Sequence, residues 1–278
     1  MSSAVDPCRY AVFGNPIAQS RSPEIHAAFA AATGQPISYD RQAPSVDGFA
    51  QAAAQFFANA GCGLNVTMPF KGDAYQFADR LTERATRAGA VNTLSLQDNG
   101  DILGDTTDGV GLLRDLRDNL GWQIAAKKIL VLGAGGAVRG ILEPLLAELP
   151  QHLVIANRTV SKALDLAKLF AEQGYLIGCD YTMLDGQRFD LVINGSGAGL
   201  AGEMPQLPDD LLLPGGRAYD LTYGAEPTAF LQWAQPRAEV YADGLGMLVE
   251  QAAESFYIWR GIRPKTTEVI ANLRHFLS

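Results

Sequence analysis

The stretch Lys128-Ile-Leu-Val-Leu-Gly-Ala-Gly-Gly-Ala137 sets an apolar run directly against a cluster of glycines and leads into a helical pattern. Such a run reads as a buried strand. The glycines let the backbone approach a pyrophosphate, whose charge the following helix N-terminus stabilises. Strand, glycines, helix is the order that dinucleotide binding requires. Gly133, Ala134, Gly135, Gly136 and Ala137 are therefore the candidate cofactor loop. The match to G-x-G-x-x-G is imperfect, because Val138 stands at the third glycine position, and a tight strand-to-helix turn without a ligand has the same signature.

Downstream residues sharpen the reading. The next strand pattern, Leu153-Val-Ile-Ala156, ends in Asn157-Arg158-Thr159. A protein selective for NAD carries Asp or Glu about twenty residues beyond the glycines, where it accepts from the ribose 2′-hydroxyl. The Arg158 guanidinium can instead bind a 2′-phosphate bidentately, with Lys162 adding a second charge one helical turn onward. NADP is thus expected over NAD, the alternative being that both cations are solvated surface charges.

Working outward, short apolar runs alternate with amphipathic stretches: Tyr10–Phe13 with Pro23–Ala32, Leu64–Thr67 with Lys71–Ala88, Ile129–Leu132 with Ala137–Glu148, and Leu153–Ala156 with Ser161–Gln173. This alternation predicts a parallel α/β fold. At 278 residues the chain exceeds one typical domain. Asp108-Gly-Val-Gly111 opens a helical stretch, Leu112–Leu120, that ends at Gly121 and can join two domains. From about Gly244 a helix carries Leu245, Leu248, Val249, Ala252 and Phe256 on one apolar face, and a second helix, about Thr267–Leu277, follows Pro264.

Composition narrows the function. A net charge of −8 argues against nucleic acid and anionic membrane as partners, both of which attract clustered Lys and Arg. Cys8, Cys62 and Cys179 form no C-x-x-C, and His26, His152 and His275 form no metal-binding spacing, so neither a disulfide framework nor a metal is expected. The start of the chain lacks a basic region followed by an apolar one, and no apolar run reaches a membrane span; a cytoplasmic protein is the expectation.

The first half raises a separate question. In Asn65-Val-Thr-Met-Pro-Phe-Lys71 a strand pattern is stopped by Pro69, and Lys71 opens a helix whose N-terminal dipole disfavours a cation. Lys71 is misplaced for stability, which suggests an anionic or carbonyl-bearing group beside it; a snorkelling surface lysine is the alternative. Ser22 before Pro23 has an easy explanation as a helix N-cap, whereas Ser20 has none. Asp108, before Gly109, can be read as a cap or turn residue.

The runs VFGNPIAQSRSPEIH (12–26), GLNVTMPFK (63–71), LTERATRAGAVNTL (81–94), GDTTDGVG (104–111), GAGGAVRG (133–140), NRTVSKA (157–163), DLTYG (220–224) and ADGLGMLVEQA (242–252) together resemble shikimate dehydrogenases over nearly the whole chain. The resemblance implies an N-terminal α/β substrate domain (1–108), a doubly wound Rossmann NADP domain (109–241), and C-terminal helices (242–278) that return to the substrate domain. It implies an oxidoreductase of aromatic amino acid (chorismate) biosynthesis that reversibly reduces 3-dehydroshikimate to shikimate with NADPH, as a monomer or homodimer. An NAD-preferring quinate/shikimate dehydrogenase and a non-catalytic NADP(H)-responsive module are the alternatives.

By the same resemblance Lys71 and Asp108 are the catalytic pair. Ser20, Ser22 and Tyr223 fall near the substrate carboxylate, and Thr67, Asn92 and Gln251 on or beside its ring hydroxyls. Gly244 and Met247 fall on the nicotinamide side, although Met247 reads equally well as a core methionine. Three departures stand out: Gln19 where the family often has His, Thr106 where its motif reads Asn, and a glycine-richer loop at Asn194–Ala198.

Overall fold

The computed structural model describes residues 8–196 and 204–277. The first seven residues, on which much of the reading of the N-terminus rests, lie outside these, as do residues 197–199 of the glycine-rich loop. Contacts divide the chain into two units. The first runs to Gly111 and takes in Val249–Val269; the second comprises Leu112–Leu248 and resumes at Ile270.

In the first unit the chain runs β1 (Cys8–Phe13), α1 (Ser22–Thr33), β2 (Ile37–Gln42), α2 (Phe49–Ala58), β3 (Gly61–Val66), α3 (Lys71–Phe77), β4 (Arg80–Leu81), α4 (Glu83–Ala88), β5 (Thr93–Leu96) and β6 (Ile102–Asp105). The stretch 71–88, read as one amphipathic segment, is thus two helices with a short strand between them. The six-stranded sheet has the order β2-β1-β3-β5-β6-β4. Its β1 pairs parallel with β2 and β3, but β5 pairs antiparallel with both β3 and β6. The expected parallel sheet is therefore mixed here. The cause is local: Gly100, at φ +90°, turns the chain straight back, and Gln97 donates its N–H to the Asp101 carbonyl at 2.9 Å, closing a hairpin. One core cluster of this unit holds Phe13, Phe49, Phe70, Leu64 and Leu94, all fully buried or nearly so, while the buried Phe29 packs against His26 and Phe256. Burying each such side chain stabilises the fold by roughly 1.5–3 kcal/mol before entropy is counted.

The helix α5 (Asp108–Arg114) leads into the second unit and ends in a π-helical turn at Asp115–Asn119, after which Gly121 takes a left-handed φ of +65°. The expected glycine stop is there. Next come β7 (Lys128–Leu132), α6 (Gly136–Ala147), β8 (His152–Ala156), α7 (Val160–Leu169), β9 (Leu176–Cys179), β10 (Phe189–Asn194), β11 (Leu212–Asp220), α8 (Ala229–Ala234) and β12 (Val240–Asp243). This sheet is parallel throughout and runs β12-β11-β10-β7-β8-β9. That is the doubly wound order, reversing between β7 and β10. Apolar side chains cover both faces: Ile129 and Val131 belong to one cluster, Leu130 and Leu132 to the other. Alternation along β7 thus places its residues in two cores at once, which is why the strand reads as a continuous apolar run.

The chain closes with α9 (Leu245–Arg260) and α10 (Thr267–Leu277). The residues after 242 are shared between the units. Val249–Val269 joins the first, whereas α10 lies largely in the second, where Arg274 Nη1 donates to Asp243 Oδ2 at 2.7 Å. The sequence reading returned both helices to the first domain; the division seen here separates them, because the polar partner of α10 is a β12 carboxylate. No helix among the described residues is long and apolar enough to cross a membrane.

Candidate active site

Strand β3 ends at Val66, and the turn Thr67–Phe70, with a cis peptide before Pro69, delivers Lys71 to the first position of α3. Its side chain is largely buried. The Lys71 Nζ donates to Asp108 Oδ2, and Asp108 stands at the start of α5. The unfavourable helix position of Lys71 thus acquires its reason in a carboxylate brought from 37 residues away.

The other Asp108 oxygen accepts from Asn92 Nδ2 at 2.9 Å, and the same amide nitrogen reaches Gln251 Oε1 at 2.8 Å. Asn92 Oδ1 accepts the Thr107 backbone N–H at 2.9 Å and the Thr93 hydroxyl at 2.8 Å. With both acceptor positions of its oxygen filled, Asn92 can turn only its NH₂ toward Asp108. Lys71, Asn92, Asp108 and Gln251 therefore form one hydrogen-bonded group on the first unit. Each Asp108 oxygen thus accepts one bond from a neighbouring side chain, which keeps the buried charged pair from standing unsupported.

The serines are placed differently from the sequence reading. Ser22 is the first residue of α1 and caps nothing; the N-cap position is Arg21. Instead Ser20 Oγ accepts the Ser22 backbone N–H at 3.3 Å and contacts Ser22 Oγ at 3.2 Å, so Ser20 performs the end-of-helix work expected of Ser22. Ser22 is buried and Thr67 partly so. Tyr223 belongs to the second unit.

Two of the departures can be judged from their contacts. Thr106 Oγ1 is buried without a hydrogen-bond partner among the described residues, whereas its backbone N–H donates to Asp105 Oδ1 at 2.8 Å. The bonds that fix Asp108 run through Asn92 and Lys71, so a threonine at 106 leaves them in place. Gln19 is exposed and reaches only the Pro16 carbonyl, at 3.5 Å.

Sequence reasoning missed the layer beneath. Asn65, Thr93, Thr107 and Ser255 are buried and hydrogen-bonded to one another or to Asn92. Arg84 donates to both oxygens of the buried Asp105 at 2.6 and 2.7 Å, and Thr82 Oγ1 adds a third bond at 2.6 Å, fixing the residues just before Asp108. The signal was present in part: Asn65 interrupts an apolar strand, and Ser255 sits one turn after Gln251 on a helix that otherwise buries apolar residues.

In the second unit β7 ends at Leu132, and Gly133 follows with φ +103°. A side chain at Gly133 would stand 2.8 Å from the Gly195 carbonyl, so the strand ends at the switch point are held too close for any other residue. Gly135, by contrast, is exposed, with open space where a Cβ would lie, and as N-cap of α6 it offers no side-chain acceptor to the first helical N–H groups. A bare helix start after glycines, at the reversal of strand order, fits a diphosphate. At the end of β8, Asn157 Nδ2 bridges to the Thr159 carbonyl at 2.9 Å. Arg158 and Lys162 are exposed, and neither forms an ion pair with a carboxylate among the described residues, which fits a phosphate monoester.

The remaining cofactor candidates, Gly244 and Met247, stand in closely packed surroundings. Gly244 presses its Cα against the Leu221 carbonyl, where a Cβ would stand 2.3 Å away. Met247 is buried in the apolar cluster beside β7.

Family models match in three places. Residues 12–94 fit a shikimate dehydrogenase substrate binding domain, residues 116–198 a shikimate / quinate 5-dehydrogenase, and residues 244–274 a shikimate 5'-dehydrogenase C-terminal domain. A relative from Cellvibrio japonicus, named shikimate dehydrogenase (NADP(+)), is 57% identical over 269 residues, covering 96% of this chain and 97% of the relative. The chain belongs to the shikimate dehydrogenase family. Among solved structures similar to this shikimate dehydrogenase family member is an Ael1 enzyme from Pseudomonas putida, 45% identical with a TM-score of 0.88, covering 97% of this chain and 98% of that one. Another is the Thermus thermophilus shikimate 5-dehydrogenase in complex with NADP(H) and shikimate, 31% identical with a TM-score of 0.84, covering 96% and 98%.

Proposed function

We propose that this chain is an NADP-dependent shikimate dehydrogenase, reversibly reducing 3-dehydroshikimate to shikimate in chorismate and aromatic amino acid biosynthesis. The observation that carries the reading is the Lys71–Asp108 pair, with Asn92 donating to Asp108 and also to Gln251, within a chain of this family. As a ring carbonyl is reduced, negative charge grows on its oxygen. The Lys71 ammonium stabilises that charge and supplies the proton that completes the alcohol; in the reverse direction Lys71 takes the proton back. Asp108 holds Lys71 in position and accepts from a substrate hydroxyl beside the reacting carbon. Asn92, Thr67 and Gln251 orient further ring hydroxyls, and Ser20, Ser22 and Tyr223 bind the carboxylate through hydroxyl donors, avoiding the cost of burying more charge.

When bound, NADPH supplies the hydride. The residues that would hold it are Gly133–Ala137 for the diphosphate and Asn157, Arg158, Thr159 and Lys162 for the 2′-phosphoadenosine, with Gly244 and Met247 at the nicotinamide end. Residues 1–108 serve as substrate domain and 109–241 as cofactor domain. The protein acts in the cytoplasm as a monomer or homodimer.

Initial rates of cofactor reduction with shikimate or quinate, each offered with NADP or NAD, test the reading. Preference for shikimate with NADP supports it. A preference for NAD or quinate moves the protein to a neighbouring specificity, and absence of turnover with any pairing overturns it.

A further inference from the structure

The phenol of Tyr39, on β2, lies at the end of the hydrogen-bond layer under the candidate active site. Its hydroxyl donates to Asn65 Oδ1 at 2.8 Å, and the ring stacks on His26 with centroids 4.2 Å apart and planes 8° from parallel. His26 is fully buried, and Trp259 and Phe256 of α9 close around the same ring. The phenol has little freedom to turn.

Protons can be assigned along this layer from one end. Because Asn65 Oδ1 is taken by Tyr39, the Asn65 NH₂ faces Ser255 Oγ at 2.9 Å and Thr93 Oγ1 at 3.2 Å, with the Asn92 carbonyl at 3.3 Å. Thr93 therefore accepts from Asn65, and its own proton goes to Asn92 Oδ1 at 2.8 Å. Ser255 too accepts from Asn65, and its one proton lies between the Gln251 carbonyl at 3.0 Å and Thr93 Oγ1 at 2.8 Å. Thr107 receives from Asn92 Nδ2 at 2.9 Å, and its own proton lies between Asn92 Oδ1 at 3.2 Å and Ser255 Oγ at 3.3 Å.

We propose that Tyr39 is a positioning residue for the reaction, acting through the carboxamide of Asn65 on Asn92 and so on the Lys71–Asp108 pair. Without the phenolic O–H, Asn65 Oδ1 loses the bond that Tyr39 donates to it at 2.8 Å. The amide is then free to turn over, presenting its oxygen to Thr93 and Ser255 and competing with Asn92 for the Thr93 proton. Asn92 Oδ1 keeps the Thr107 donors but loses the Thr93 hydroxyl, its shortest bond at 2.8 Å. Its NH₂ then holds the Asp108 carboxylate less firmly. The inference rests on the reading of Lys71 and Asp108 given above.

The test is Tyr39→Phe, which keeps the ring and its stack on His26 while removing the donor. Loss of one such bond is expected to lower kcat for shikimate about fivefold to tenfold. The KM for NADP should stay unchanged, since the candidate cofactor residues lie in the other unit. In an Asn65→Ala background, or Asn65→Ser if the alanine variant does not fold, the Tyr39→Phe change should have no further effect. A kcat within about twofold of the parent overturns the proposal, as does a full Tyr39→Phe effect in the Asn65 variant. Lys71→Ala, measured alongside, separates the two readings. If it abolishes turnover while Tyr39→Phe is silent, only the role of Tyr39 falls; if it retains turnover, the catalytic pair falls and the role of Tyr39 with it.

Discussion

Asn92 donates Nδ2 to one oxygen of Asp108 at 2.9 Å while Lys71 donates to the other, so the carboxylate is gripped from two sides. An aspartate held this way can neither rotate nor change partners without breaking a charged bond. The relationship is useful because it makes the lysine and the aspartate a unit, and units have non-additive kinetics.

Lys71→Ala is accordingly expected to lower kcat by about 10²–10⁴, the range typical of losing a positioned proton donor together with its charge. Asp108→Asn should fall in the same range, and the double variant little below either single one. Steady-state rates with shikimate and NADP check this. A double variant whose loss is the product of the two single losses would show that the residues act independently.

Arg158→Glu should reverse the cofactor preference. It removes a guanidinium fork and installs a carboxylate that repels a 2′-phosphate but accepts from a 2′-hydroxyl. KM for NADP should rise about a hundredfold, equivalent to roughly 3 kcal/mol, while KM for NAD stays level or falls. An unchanged KM for NADP would return Arg158 to the solvated surface.

His26 carries a pH dependence of stability. Burial pushes its pKa from the usual value down to about 3. The folded protein therefore holds it neutral, whereas the unfolded chain protonates it below about 6.5. A depressed folded pKa means stability is fully present above the unfolded value and is lost as pH falls toward the folded one. Between pH 6.5 and 5 this amounts to about 2 kcal/mol. Chemical unfolding midpoints at those two pH values should differ less in His26→Phe than in the parent. Equal differences would place the acid sensitivity elsewhere.

Gly246 marks a backbone approach in the second unit. Asp115 is buried there, accepting the Tyr219 hydroxyl at 2.6 Å and Asn119 Nδ2 at 2.9 Å, with its pKa raised by burial. A Cβ on Gly246 would stand 1.8 Å from Asp115 Oδ1. Gly246→Ala should therefore destabilise by about 3 kcal/mol, since the carboxylate must move and give up partners. Asp115→Ala in the same chain should recover part of that loss by removing the clash. An alanine variant as stable as the parent in urea would contradict the packing described.

The second unit was legible in the sequence because its order is local. A continuous apolar run, glycines and a helix lie within twenty residues of one another, and the cation at Arg158 stands where the motif predicts it. The first unit was legible only in outline. Its hairpin at Gly100 was passed over because two short strands between longer helical patterns look like a loop. Ser22 was read as a cap on neighbours alone, but the turn before α1 gives that task to Ser20. Asn65, Thr93 and Ser255 escaped because each is an ordinary polar residue until partners up to 190 positions away are in place.

Those long separations also set an order of assembly. Trp259 stacks on Tyr10 and donates to the Leu94 carbonyl at 3.1 Å, Phe256 packs edge-on against Phe29, Ser255 takes the Asn65 amide, and Glu254 pairs with Arg84. All four belong to α9, which leaves the ribosome after every strand of the second unit's sheet. During synthesis the first unit to emerge is thus still incomplete when the sheet of the second has been made. Its strands wait with an uncovered aromatic face and unpaired buried groups while the second unit, whose sheet is made of consecutive chain, forms behind it. That helix carries Gln251 as well, so the first unit acquires its late structural support and its last candidate substrate contact in the same few residues.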